Sequence, residues 1–111
     1  MRSAPAILLS LALGVSTACN PSTDIQDGQA LGPAITIAEG FVSASMIPLP
    51  SGKVAFIDAN NDTSGESLLG ALNQGGYVPG DVSDIFITHG HGDHLGGISA
   101  FPAAEIHGFT A

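Results

Sequence analysis

The sequence predicts an α/β domain, and three observations carry that expectation. Apolar, β-branched stretches at 34–38, 41–49 and 53–59 are separated by the turn-forming pairs Glu39-Gly40 and Ser51-Gly52. A helical pattern with start and stop signals follows at 63–74. A further strand at 84–88 then runs into a cluster of histidines, a short helix and a last strand at 104–108.

The elements can be justified in order. Residues 1–18 read as a targeting segment: Arg2 supplies a positive start, and residues 6–15 form an apolar run too short to span a bilayer. Ser16-Thr17-Ala18 offers small residues for cleavage just before Cys19, the only cysteine. A lone cysteine cannot close an internal disulfide, and at this place it suggests lipidation as in a bacterial lipoprotein. Ser16 stands where that motif prefers leucine, so ordinary secretion is the alternative. Either way the expected location is outside the cytoplasm, periplasmic or anchored to a membrane through Cys19. Residues 19–32, with Pro21, Ser22, Thr23, Asp24, Asp27 and Gly28, read as a linker.

From residue 33 the chain reads as folded. Thr63 followed by Glu66 is a capping-box pattern, with Thr63 as the expected N-cap. The helix should bury Leu68, Leu69 and Leu72 on one face and stop at Gly75-Gly76. Residues 79–83 form a turn. The strand at 84–88, rich in β-branched and aromatic side chains, is expected to be buried on both faces.

The chemistry concentrates where that strand stops. His89-Gly90-His91-Gly92-Asp93-His94 places three of the four histidines and a carboxylate within six positions. Imidazole and carboxylate suit Zn²⁺ and other borderline divalent metals. Four donors this close serve two adjacent ions better than one tetrahedral ion, and paired ions are a hydrolytic arrangement. Residues two apart in an extended segment point the same way, so His89 and His91 can reach one ion together. Asp93 and His94 come as the chain turns into Leu95-Gly96-Gly97-Ile98 and can face a second. Gly90 and Gly92 permit a tight loop.

Thr88 to Gly97, Thr-His-Gly-His-Gly-Asp-His-Leu-Gly-Gly, resembles the signature of the metallo-β-lactamase fold hydrolases. Val54 to Ala59, which contains Asp58, is similar to that family's earlier strand ending in aspartate. The resemblance covers roughly residues 34–110. It implies a metallo-β-lactamase-like αβ/βα sandwich of which this chain is the N-terminal half, over residues 33–111. It also implies up to two zinc ions, with His89 and His91 on one and Asp93 and His94 on the other. Asp93 would also act catalytically by orienting the nucleophile, and Asp58 would orient a ligand imidazole from behind. Asp58 could equally be a turn-forming aspartate after a strand. His107, outside the motif, reads as a solvated strand end. The family's remaining ligands come from further downstream than this chain reaches.

Charge narrows the partners. The formal net charge is −8, and after Cys19 only Lys53 stands against all ten acidic residues. Nucleic-acid binding calls for a basic footprint, so the charge and the export signal argue against that class. A small-molecule substrate fits better. Its bond could be an ester, thioester, lactone, lactam, sulfate ester or phosphoester. His94 after Asp93 argues against the β-lactamase subclass that carries arginine there. The competing reading is a truncated lipoprotein fragment without catalysis that binds metal weakly or not at all.

Overall fold

The computed structural model describes residues 25–109. The expected leader at 1–18, Cys19 and the start of the linker lie outside the described residues. The architecture is a mixed sheet of six strands, in spatial order β1 to β6 as in sequence. The strands are β1 (Ala30–Leu31), β2 (Ala34–Glu39), β3 (Val42–Pro48), β4 (Val54–Ile57), β5 (Val82–Phe86) and β6 (Glu105–His107). The first four pair antiparallel, while β4–β5 and β5–β6 are parallel. A parallel pair needs a crossover, and the helix α1 (Glu66–Gly75) supplies it between β4 and β5. No described helix is long and apolar enough to cross a membrane.

The pleat sorts the side chains. Ile35, Met46, Phe56, Ile85 and Ile106 oppose one another across the strands and form one row on the face that α1 covers. Met46, Phe56 and Ile85 are buried there with Leu68 and Leu72 of α1, and the ring of Phe101 lies 5.3 Å from that of Phe56. Burying each leucine contributes about 1.5–3 kcal/mol. Leu69, also expected inside, is half-buried against this core. The opposite face carries the row Thr36, Ser45, Ile57, Phe86 and His107.

Three local expectations are corrected. Thr63 is not the N-cap: Gly65 takes that position at φ 72°, without a side-chain cap bond. The Asp62 carboxylate instead accepts from the Ser64 N–H and Oγ–H, and Ser64 Oγ accepts from the Glu66 N–H. The reason is crowding, since a Cβ at Gly65 would come within 2.9 Å of the Ala100 Cβ. Only glycine fits a left-handed turn pressed that closely against a neighbour. Secondly, β5 begins at Val82, two residues before the expected start, and ends at Phe86. Thirdly, β5 is not buried on both faces: Phe86 is 45% exposed while Ile85 is fully buried. In addition, the end of the expected linker is folded onto the sheet. Asp27 Oδ1 accepts from the Ala38 N–H, and Ala30–Leu31 pairs with β2. The helix stop is as read, with Gly76 left-handed at φ 82° and the Tyr77 N–H donating to the Leu72 carbonyl.

Candidate metal centre

Two loops at the carboxyl ends of the parallel strands β4 and β5 build the site. Residues 58–61 leave β4, and residues 88–97 leave β5. They are stitched by backbone bonds: Asp58 N–H to the Phe86 carbonyl, Ala59 N–H to His94, Gly96 N–H to Asn60 and Gly97 N–H to Ala59, all 2.7–2.9 Å. Such close approach demands glycine on one side. A Cβ at Gly96 would run into the Asn61 carbonyl, and one at Gly97 would meet Leu68 Cδ1 at 2.7 Å. Asp58 and Asn60 pay for the sharp bend with positive φ, 65° and 55°. Glu39 on β2 anchors the same loop, its carboxylate accepting from the Asn61 and Asp62 N–H groups and the Ser67 hydroxyl.

The donors converge. Single ligand atoms from His89, His91 and Asp93 all lie within 4.8 Å of one another. The His89 ring is 4.1 Å from that of His94 and 4.8 Å edge-on from that of His91, centroid to centroid. His94 Nε2 is 3.7 Å from Asp93 Oδ1. The sequence pairing set Asp93 with His94, and the structure places Asp93 within reach of the His89–His91 pair as well as of His94. The three residues of the tight group are open on one side, with His89 and His91 exposed and Asp93 half-buried.

Asp58 lies beneath them, 6% exposed. Its Oδ1 accepts the Thr88 N–H at 2.8 Å. Its Oδ2 accepts the Thr88 hydroxyl at 2.7 Å and faces His94 Nδ1 at 3.0 Å. The Asp58 side chain thus bonds Thr88 and His94 of the other loop, and none of these bonds is to its own turn. With Nδ1 directed back to a carboxylate, Nε2 of His94 is left for an ion, the arrangement usual for metal-ligating histidine. Imidazoles held this way beside an open carboxylate fit a borderline divalent cation.

Thr88 is the residue that the sequence reading passed over. His107 is not the solvated strand end expected. Its Nε2 bonds Asp84 Oδ1 at 2.9 Å, and its ring stacks on Phe86 at 4.5 Å. Asp84, Glu105 and His107 form a second donor group, on β5 and β6. The Ser83 hydroxyl, and then His107, hold the Asp84 carboxyl below its ordinary range.

A His/Asp centre at the ends of parallel strands in a mixed sheet defines a metal-binding α/β domain. The sequence profile described as "Metallo-beta-lactamase superfamily" matches residues 38–108. The chain belongs to this superfamily, whose members are typically metal-dependent hydrolases. Among curated proteins, it is 44% identical over 50 residues to human "Metallo-beta-lactamase domain-containing protein 1", covering 45% of this chain and 19% of that protein. The Xenopus laevis protein of the same name is 38% identical over 69 residues, with 62% and 28% covered. The chain thus spans under a third of the curated relatives it matches. Among solved structures, the metallo-beta-lactamase SMB-1 bound to 2-mercaptoethanesulfonate superposes with TM-score 0.60 at 25% identity, covering 76% of this chain and 35% of that one. MIM-1 from Novosphingobium pentaromativorans gives 0.61 at 21%, covering 71% and 30%, a likeness of fold.

Proposed function

We propose that this chain carries the first ligand set of a zinc-dependent hydrolase acting on a small molecule outside the cytoplasm. The observation that carries the reading is the convergence of His89, His91 and Asp93 on one point, with His94 packed against His89 and held by buried Asp58. His89 and His91 would hold one ion, and Asp93 and His94 a second. Zinc, when bound, lowers the pKa of its water to about 7, which makes a nucleophile available at neutral pH. Asp93, on the open side, would hold the second ion and would help to orient the nucleophile. Asp58 keeps His94 aimed. The acidic surface supports a small substrate over nucleic acid. Residues 1–18 supply the export signal, and Cys19 is the site of a lipid anchor.

The test is turnover by the zinc-supplemented chain on esters, thioesters, lactones and lactams, beside a His91→Ala variant. Product release by the parent and none by the variant is expected. The variant's zinc affinity should fall by more than the roughly 10–100-fold typical of losing a partner that only orients a ligand. Zinc binding without turnover of any substrate contradicts catalysis by this chain on its own and leaves the metal centre standing.

A further inference from the structure

The hydrogen bonds around Thr88 have a forced direction. An ionised carboxylate has no proton to give, so Asp58 Oδ2 can only accept from the Thr88 hydroxyl 2.7 Å away. That hydroxyl has a single proton, now committed to Asp58. Its remaining contact, with His89 Nδ1 at 3.0 Å, must then run the other way, with His89 donating from Nδ1 and Thr88 Oγ1 accepting. The same carboxylate oxygen accepts from His94 Nδ1 at 3.0 Å. One buried carboxylate thus sets the tautomer of two imidazoles, His94 directly and His89 through Thr88.

We propose that Thr88 is a positioning residue that locks His89 in the Nδ1–H tautomer and so presents the Nε2 lone pair to a metal ion. The proposal rests on the reading of residues 89–94 as metal ligands. Free neutral imidazole favours the opposite tautomer, with the proton on Nε2, which would block that nitrogen as a ligand. The relay removes this competition before any ion arrives. His91 has no such partner: among the described residues its ring contacts His89 edge-on and accepts or donates no hydrogen bond. The site therefore combines two preset imidazoles with one that is free to choose its nitrogen.

The experiment is nitrogen NMR of ¹⁵N-histidine-labelled chain, metal-free, at a pH of about 8 where ordinary imidazole is neutral. In the parent, His89 and His94 should show protonated Nδ1 and bare Nε2. Thr88→Val keeps the shape of the side chain and removes the hydroxyl, so His89 alone should shift toward the Nε2–H form. Thr88→Ser should restore the parent pattern. Zinc affinity should fall about 10–100-fold in Thr88→Val and stay within a few-fold in Thr88→Ser. A parent His89 carrying its proton on Nε2 overturns the proposal, as does a folded Thr88→Val chain with an unchanged His89. If Thr88→Val does not fold, the parent spectrum alone decides. Correct tautomers in a parent that binds no zinc would sink the metal reading while leaving the relay intact.

Discussion

At the scale of single residues, the site depends as much on what is missing as on what is present. Gly96 and Gly97 allow two loops to share backbone bonds where any Cβ would strike a neighbour. Gly97→Ala is expected to destabilise the fold by about 1–3 kcal/mol, because Leu68 and the Ala59 carbonyl both confine the added methyl. Urea denaturation measures this, and an unchanged midpoint would contradict the packing described. The donor cluster itself was legible in the sequence because His-x-His-x-Asp-His after a strand has few structural explanations. Thr88 was not legible as a functional residue. Nothing in its neighbours fixes the direction of a hydrogen bond, which depends on Asp58 arriving from 30 positions away.

At the scale of elements, apolar spacing located every strand from β2 onward and α1, and local chemistry misplaced some of their ends. Thr63 and Glu66 satisfy a capping pattern, yet the helix starts behind Gly65 because tertiary crowding by Ala100 selects glycine there. Asp62 serves the helix start from outside it. The Ser64 hydroxyl and N–H hold its carboxyl below the ordinary value of 3.8. A depressed pKa in the folded state adds stability above the ordinary carboxylate range, and that stability is lost as pH falls through the folded value. Asp62→Asn should therefore be less stable than the parent at neutral pH, with the two converging as pH drops below that range. Denaturation midpoints across pH check the sign, and a gap that widens in acid would contradict it. On the buried side of α1, Leu72→Ala should cost about 2–5 kcal/mol, read from the same denaturation curves.

At the scale of the whole molecule, the sheet has one face packed by α1 and Phe101 and another left with Phe86 partly exposed. The expectation that β5 would be buried on both faces came from its composition, which is that of an interior parallel strand. The described residues hold only one sheet, and half of that expectation is met. At the end of the expected linker, polar composition does not prevent Asp27 and Gly28 from bonding β2 backbone groups. What the whole arrangement achieves is to bring the ends of β4 and β5 side by side, so that a carboxylate from one loop braces the imidazoles of the other. His107 and Asp84 form a separate group on the strands themselves, bonded to each other rather than to the motif. This separation makes the central claim testable on one sample. Zinc titrated into the chain should shift the imidazole resonances of His89, His91 and His94 together and leave His107 unmoved. Silence from those three histidines, or a response confined to His107, would contradict the assignment of the metal centre.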